Sequence, residues 1–319
     1  MEALLPQDSI DQQADRSNAV DLPLLESLKV RAKYRPGYAD VRYSASEQDV
    51  AMNLAVSTFG PLSTVPVLYR DLAWETDGCS EVRRYELEDG TAGYFKSFKE
   101  NSGAEYAFKD YGMSSLGSSI SDLNSYRMAQ LLGRGFDELV PETVLREIDG
   151  QLGTLQREVI EATPREIDSE VLRGDYRRAS IFDFVTGNLD RHDENFLYGA
   201  DGQGRARIRL IDNSFSFPGA PRVWMLNENI FADNHPSDGD CGDEHRMLDS
   251  ELTLTLGERL ALKRARQGVQ GWIDARTIAV RRGKATLKRI DYLLKVGRLG
   301  GFTEYFHGIC GWKGYDSHL

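Results

Sequence analysis

The chain has 319 residues, of which 40% are hydrophobic and 28% are charged, the composition of a globular protein with a sizeable core. Its formal net charge of −11 disfavours a nucleic-acid backbone as the main partner, and no apolar run approaches the roughly 20 residues of a membrane-spanning helix. Because residues 1–21 lack an apolar signal segment and the three cysteines are widely separated, we expect a cytoplasmic protein with no membrane partner.

The first half of the chain is predicted to be rich in strands. Residues 1–65 have no strong periodicity, and we expect a partly ordered extension there. Asp89-Gly90 predicts a hairpin, because an Asp-Gly pair supplies the positive φ angles of a tight turn. A loop over residues 112–121 is expected to precede a helix over 122–132, which Gly133 ends. The predicted strands cover residues 82–88, 92–98, 140–141 together with 144–146, and 154–160.

The second half is predicted to be mainly helical, with one further hairpin. Helical patterns cover residues 169–186, 252–267 and 285–296, and hairpin strands cover 195–198 and 206–211. Gly187 and Gly268 are expected to end the first two helices, since glycine is common just after a helix. We therefore predict an α+β fold with an N-terminal extension (1–65), a small strand-rich N-lobe (66–160) and a larger helical C-lobe (161–319).

The residues that carry chemistry lie between positions 181 and 217. Asp190 is followed five positions later by Asn195, and Asp212 comes at the end of an apolar strand. Phosphoryl transfer needs a carboxylate that orients the attacking hydroxyl, and oxygen ligands for the metal ion that bridges the nucleotide phosphates. The pattern therefore predicts Asp190 as the catalytic base, with Asn195 and Asp212 as Mg²⁺ ligands. The alternative interpretation is a polar turn that only caps a helix.

Two motifs in this segment resemble those of atypical kinases. Residues 188–195, NLDRHDEN, resemble the D-R-H-x-x-N catalytic loop of phosphatidylinositol 3- and 4-kinases and of HipA-like and secretory-pathway atypical kinases. Residues 211–218, IDNSFSFP, are similar to the I-D-N-G-x-x-F-P metal segment of type II phosphatidylinositol 4-kinases and their bacterial relatives, with Ser214 in place of Gly. The resemblance implies a two-lobed protein-kinase-like fold that uses ATP and Mg²⁺, with Mn²⁺ as an alternative ion.

The resemblance extends upstream of these motifs. Residues 78–91 resemble the first hairpin of that superfamily, which implies that the loop around Ser80 covers the phosphates. Lys96 falls where the family carries its nucleotide lysine, which reaches the α and β phosphates. The strand between the lobes is implied to offer backbone groups to adenine from Gln156, Arg157, Glu158 and Val159.

Two further positions have more than one interpretation, and a third is expected to be structural. In the family the nucleotide lysine is held by a helical glutamate, and Asp122 occupies that position here. An Asp at the start of a helix also serves as a cap, in which case Glu105 is the substitute. His192 is implied to orient Asp190 or to shuttle a proton, or else to act as a hydrogen-bonded scaffold. Asp183, on the preceding helix, is expected to anchor the catalytic loop.

Several functions are compatible with these residues. The first is an ATP-dependent kinase that phosphorylates Ser or Thr of a protein substrate, with a lipid kinase as its variant. The second is a nucleotide-binding pseudokinase that regulates or scaffolds a partner. The third is transfer of another group, such as a nucleotidyl group, because a fold does not determine its reaction.

Two charged segments are expected to be solvent-exposed. An Asp-rich loop contains His235, Cys241 and His245, but their spacing matches no zinc pattern. The Lys- and Arg-rich stretch between residues 264 and 289 is interpreted as a solvated helical face, with a local basic patch as the alternative.

Overall fold

The structure is a computed structural model, and it describes residues 50, 53–54, 62, 65–70, 82–97, 115–160, 169–188, 190–191, 193–218 and 252–299. Within these ranges, the fold contains a five-stranded sheet, four helices of 17 to 19 residues, the first of which lies between the third and fourth strands of the sheet in the chain, and a separate two-stranded hairpin. The predictions for residues 1–49 and for the Asp-rich loop lie outside the described residues.

Five antiparallel strands form the first part of the fold. Their bounds are β1 Val67–Arg70, β2 Val82–Leu87, β3 Ala92–Ser97, β4 Thr143–Ile148 and β5 Gln151–Arg157. The order β1-β2-β3-β5-β4 places β3 at the centre, where it pairs with β2 and β5. Tyr85, Phe95 and Leu155 are among the apolar side chains that form the core of this sheet. The four predicted strands are confirmed, although residues 140–141 lie before β4 and β5 ends at Arg157 instead of residue 160.

The turn between β2 and β3 differs in type from the predicted one. Gly90 has a φ of 79°, but Asp89 does not have a positive φ, so only one of the two residues takes the left-handed conformation. The N–H of Gly90 donates to the carbonyl of Leu87 at 3.0 Å. The Asp89 carboxylate accepts from the N–H and the hydroxyl of Thr91 at 2.9 and 2.6 Å. Asp89 therefore stabilises the turn through its side chain.

The first long helix, α1 (Ser115–Leu132), begins seven residues before its predicted start. The loop prediction is therefore wrong for residues 115–121, where small side chains such as Ser118 and Ser121 are buried in packing. Tertiary contacts override the loop preference of Ser and Gly here. The helix ends before Gly133, whose φ is 74°, as predicted. Asp122 consequently lies in the second turn of α1, which excludes the helix-capping interpretation.

Helix α2 spans Ser169–Thr186, with the predicted bounds, and ends at Gly187, whose φ is 65°. The chain then forms the loop that carries Asp190 and enters a hairpin of β6 (Phe196–Ala200) and β7 (Ala206–Leu210). The apolar residues of β7 are fully buried and pack against α2, whereas the arginines between them are not. The second predicted hairpin is therefore confirmed.

The last described residues, 252–299, form a helical hairpin. Helix α3 spans Leu256–Asp274 and α4 spans Val280–Val296, and the short strands β8 (Leu252–Thr253) and β9 (Arg298–Leu299) pair beside them. The prediction that Gly268 ends the first of these helices is wrong. A Cβ at Gly268 would lie 2.4 Å from Cδ1 of Leu131, so glycine here lets α3 approach α1 closely.

Alanine substitutions in α3 test this contact. We expect Gly268→Ala to be less stable than Gly271→Ala by about 1–3 kcal/mol, because overpacking a tight contact costs that much. Gly271 lies on the same helix, and nothing lies within 4 Å of a Cβ placed there. Alanine at Gly271 should raise the free energy of unfolding, measured in urea, by up to about 1 kcal/mol. Equal stabilisation by both substitutions would contradict the role of Gly268.

The four helices share one core, to which each contributes fully buried side chains. Met128 of α1, Phe182 of α2, Leu262 of α3 and Leu293 of α4 are each 0% exposed. An antiparallel sheet combined with helices that pack on one another is an α+β fold, and it is consistent with the kinase-like class predicted above. None of the helices in the described ranges is both long and apolar enough to cross a membrane.

Candidate active site

The loop with Asp190 starts where α2 ends, at a junction organised by an arginine from another helix. The N–H of Gly187 donates to the carbonyl of Asp183 at 2.7 Å. A Cβ at Gly187 would lie 2.8 Å from Cζ of Arg289, so the position requires glycine for space as well as for its φ. Arg289 lies on α4, is 2% exposed, and donates to the carbonyls of Val185 and Thr186 at 2.9 and 3.0 Å. It therefore caps the last turn of α2.

Asp190 and Asn195 are joined by hydrogen bonds within their loop. The N–H of Asp190 donates to Oδ1 of Asn188 at 2.9 Å, and Nδ2 of Asn195 donates to the carbonyl of Asp190 at 2.6 Å. Asn195 is 6% exposed, and Asp190 is half-buried. Because a side-chain amide nitrogen donates hydrogen bonds and does not coordinate cations, Oδ1 is the atom that Asn195 can offer to a metal ion. His192 lies outside the described residues.

Arg191 connects α2, the loop and the segment that carries Asp212. Its side chain is 0% exposed, and Nε and Nη2 contact the two carboxylate oxygens of Asp183 at 3.0 and 3.1 Å. It also donates to the carbonyls of Asn195 and Ile211, the second at 2.8 Å, and to Oδ1 of Asn213 at 2.5 Å. The hydrogen bonds expected of Asp183 are thus observed, and they act through Arg191.

Asp212 follows β7 and is held by two donors. Its φ is 41°, a left-handed value that Asp adopts more readily than most residues. Oδ1 accepts from Nζ of Lys96 at 2.8 Å and from Oγ of Ser214 at 2.6 Å. Partial burial favours the protonated acid, but the charge and hydrogen bond of Lys96, the hydroxyl of Ser214 and the charge of Arg191 together outweigh it and lower the pKa of Asp212 to about 2. The N–H of Ile211 donates to the carbonyl of Asn195 at 3.1 Å, which keeps the two predicted metal ligands close.

Lys96, on the central strand β3, lies between two carboxylates. Nζ is 2.8 Å from Oδ1 of Asp212 and 3.6 Å from Oδ2 of Asp122, and the lysine side chain is 14% exposed. Burial would lower the pKa of Lys96, but the charges of Asp212 and Asp122 together raise it. Glu105, the other predicted partner, lies outside the described residues.

Asp122 is the carboxylate of this group whose pKa is raised. Burial raises its pKa to about 6, because the opposing charge of Lys96 only partly offsets the cost and Asp212 adds repulsion. Asp122 ordinarily has a pKa of 3.8, so its folded-state pKa is the higher one. The stabilisation that the protonated Asp122 carboxyl provides is therefore complete below about pH 4, and it is lost as the pH rises through about 6.

Asp122→Asn is expected to remove this pH dependence. The difference in unfolding free energy between the variant and wild type should increase by on the order of 2 kcal/mol, in favour of the variant, as the pH rises from about 4 to about 7. Urea unfolding of both proteins across this range measures the difference. Asp291→Asn, which removes a carboxylate that is 49% exposed, is the control and should not reproduce the trend. A constant difference between wild type and Asp122→Asn would contradict the assignment.

The four residues predicted to offer backbone groups to adenine differ in the hydrogen bonds that they already make within the protein. The N–H groups of Arg157 and Glu158 donate to the carbonyls of Glu142 and Ala92 at 2.8 and 2.9 Å. The side chain of Gln156 donates to the hydroxyl of Thr143 at 2.9 Å. Val159 follows β5 and lies beside Gly199 of β6. A Cβ placed at Gly199 would lie 2.7 Å from Cγ1 of Val159. Among the described contacts, Val159 is the position of the four with no backbone hydrogen bond.

The structure brings Lys96, Asp122, Asn195 and Asp212 to one region through direct contacts and hydrogen bonds. Ser80 lies outside the described residues, and within those residues no three His, Cys, Asp or Glu side chains are grouped as a metal site. Sequence reasoning missed the buried arginine Arg289. Its spacing of three and four positions from Thr286 and Leu293, both buried, was the available signal.

Comparisons with known proteins find little similarity. No protein-family model matches the chain, and no curated protein matches it significantly. Among solved structures, the chain is similar to the crystal structure of CtkA, a proinflammatory kinase of Helicobacter pylori. That likeness has a TM-score of 0.36 and 11% identity, and it covers 74% of this chain and 94% of CtkA.

Proposed function

We propose that the chain is a kinase-type phosphotransferase that uses ATP and Mg²⁺. The observation that carries this proposal is the contact between Lys96 and Asp212, 2.8 Å from Nζ to Oδ1, which joins residues 116 positions apart. The loop with Asp190 and Asn195 is tied to the same segment by Arg191. A lysine, two carboxylates and an amide oxygen are the side-chain groups that phosphoryl transfer from a metal-bound nucleotide requires.

The residues fit a hard divalent cation. Carboxylate and amide oxygens are ligands that suit Mg²⁺ and Mn²⁺. Asp212, with a pKa of about 2, is ionised at neutral pH, and its side chain is 45% exposed. Because Oδ1 already accepts from Lys96 and Ser214, Oδ2 is the oxygen assigned to the ion. Asn195 and Asp212 would hold the ion, which when bound neutralises charge on the phosphates.

Asp190 is assigned to the acceptor alcohol. Its carboxylate orients the hydroxyl and accepts the proton as the oxygen bonds to the γ-phosphorus, while the bond to the bridging oxygen breaks and ADP leaves. Lys96 is assigned to the α and β phosphates and Ser80 to the loop above them. His192 is assigned to orienting Asp190.

The proposed acceptor is Ser or Thr of a protein in the cytoplasm. Of the residues proposed to face adenine, Val159 is favoured, because the N–H groups of Arg157 and Glu158 are used within the protein. A lipid acceptor, nucleotidyl transfer and a pseudokinase are the competing functions, and labelled ATP separates them.

The test uses the purified full chain with ATP labelled in the γ or the α position and Mg²⁺. We expect wild type to transfer γ-label to itself or to a generic protein acceptor. Asp190→Asn and Asp212→Asn should each lose roughly 100-fold or more of this activity, whereas Asp274→Asn, an exposed control, should not. Transfer of α-label would indicate nucleotidyl transfer, and transfer to lipid but not to protein a lipid kinase. ATP binding with no transfer at all would indicate the pseudokinase.

A further inference from the structure

The C-terminal helical hairpin, residues 252–299, has a charge opposite to that of the rest of the chain. It contains twelve Lys and Arg and three Asp and Glu, a net charge of +9. Because the whole chain carries −11, the remaining residues carry −20. Such separation of charge creates a local field that attracts anionic partners to one part of the surface.

About half of the hairpin's cationic side chains have no ion-pair or hydrogen-bond partner in the part of the chain that the structure describes. Five arginines donate to protein carbonyls or to a carboxylate: Arg259, Arg264, Arg266, Arg282 and Arg289. Six other cations are exposed, and their side chains make no ion pair or hydrogen bond among the described residues: Lys263, Arg276, Arg281, Lys284, Lys288 and Lys295. The charges of these six are therefore not used in ion pairs or hydrogen bonds within the described hairpin.

Arginines in the preceding elements are used differently. Arg84 pairs with Glu158 at 2.6 Å, and Arg207 pairs with Asp175 at 2.8 Å. Arg205 is 51% exposed and still pairs with Asp201 at 2.9 Å. Pairing with a nearby carboxylate is therefore common for cations elsewhere in the described chain, and the hairpin departs from it.

Four of the unpaired cations form one stripe along α4. Arg281, Lys284, Lys288 and Lys295 are separated by three, four and seven positions, the spacing of one helix face. The stripe is roughly 21 Å long at 1.5 Å per residue. An extended peptide of about six residues has the same length. The stripe therefore matches a short acidic segment in both charge and size.

We propose that this stripe docks an acidic segment of the protein substrate, an inference that rests on the proposed function. A short acidic segment meets only the stripe. A long nucleic acid or an anionic membrane surface would also meet the remainder of the chain, whose net charge of −20 repels it. The partner favoured by the charges is thus an acidic peptide next to the acceptor residue.

Peptide binding tests the proposal without ATP. The probe is a fluorescent peptide with about six consecutive glutamates, the length of the stripe, and its glutamine counterpart is the neutral probe. Lys284→Glu/Lys288→Glu should weaken binding of the acidic peptide by roughly tenfold or more. The matched control is Arg134→Glu/Arg173→Glu, which makes the same change of net charge at two exposed residues outside the hairpin. It should weaken binding by less than about twofold.

Three outcomes would overturn the proposal: equal weakening by both variants, equal binding of the glutamine peptide, or tighter binding of a single-stranded oligonucleotide or of phosphatidylserine vesicles. In the transfer assay, Lys284→Glu/Lys288→Glu should raise KM for an acceptor with an acidic tail and leave kcat unchanged. Wild type that transfers label but does not bind the peptide refutes docking alone. Wild type that binds the peptide but transfers no label refutes only the proposed function.

Discussion

Lys96→Met is expected to abolish phosphoryl transfer and to lower stability at the same time. Lys96 is the cation between Asp122 and Asp212, at 3.6 and 2.8 Å. Without it, two carboxylates face each other, and the Asp122 side chain is only 8% exposed. Leaving such charges unpaired costs about 3 kcal/mol, and the lost stabilisation of phosphate charge lowers the rate by roughly 100-fold or more.

A double variant separates the two effects. Lys96→Met/Asp122→Asn should recover most of the lost stability, because a buried amide needs no cation, yet it should recover none of the transfer. Urea unfolding and γ-label transfer measure the two quantities, and Lys263→Met, at an exposed lysine, is the control. Equal losses of stability in the single and double variants would show that Asp122 is not the partner of Lys96.

Arg191→Leu is expected to have the largest effect on stability. The guanidinium is fully buried and contacts the Asp183 carboxylate at 3.0 Å, and it also donates to the loop and to Asn213. Removing it leaves a buried carboxylate uncompensated, which costs about 3–5 kcal/mol. Because the same side chain holds Asn195 and Ile211 together, transfer should be lost as well.

Arg205→Leu is the matched control for Arg191. It also breaks an arginine–aspartate contact, 2.9 Å from Asp201, but the arginine is 51% exposed, so its loss should cost less than about 1 kcal/mol. Arg191→Lys keeps the charge but loses the planar fork, and its stability should lie between wild type and Arg191→Leu. Thermal or urea unfolding of the three variants provides the ranking. Similar losses for Arg191→Leu and Arg205→Leu would refute the structural role of Arg191.

Local pattern was sufficient for most of the secondary structure. Helix α2, Ser169–Thr186, was predicted with its observed bounds, because its apolar period and Gly187 are both local signals. The start of α1 was missed, since buried serines such as Ser118 have the composition of a loop. The local pattern predicts a helix end at Gly268. In the structure this glycine lies inside α3, where it allows close packing against Leu131 of α1.

Spacing and resemblance also identified candidates for the site, but few of their contacts: the pairing of Lys96 with Asp122 was expected, with Glu105 as the alternative, whereas the contact of Lys96 with Asp212 was not. Asp190, Asn195, Asp212 and Lys96 were recognised from motifs and their order in the chain. The capping interpretation of Asp122 failed because it depended on where α1 begins. Arg191 was predicted only as part of the D-R-H-x-x-N motif, without a structural role. Arg289, which donates a hydrogen bond to a carbonyl 104 positions away, was not recognised.

The order of residue types along the chain is sufficient to predict the type and order of the elements and the residues able to carry chemistry, because both depend on neighbours within one or two turns of chain. Tertiary contacts determine which carboxylates lie next to Lys96 and which arginines are buried at the ends of helices. They also determine where a glycine allows two helices to pack closely instead of ending a helix. Each of those depends on contacts between elements far apart in the chain, and local periodicity carries no information about such contacts.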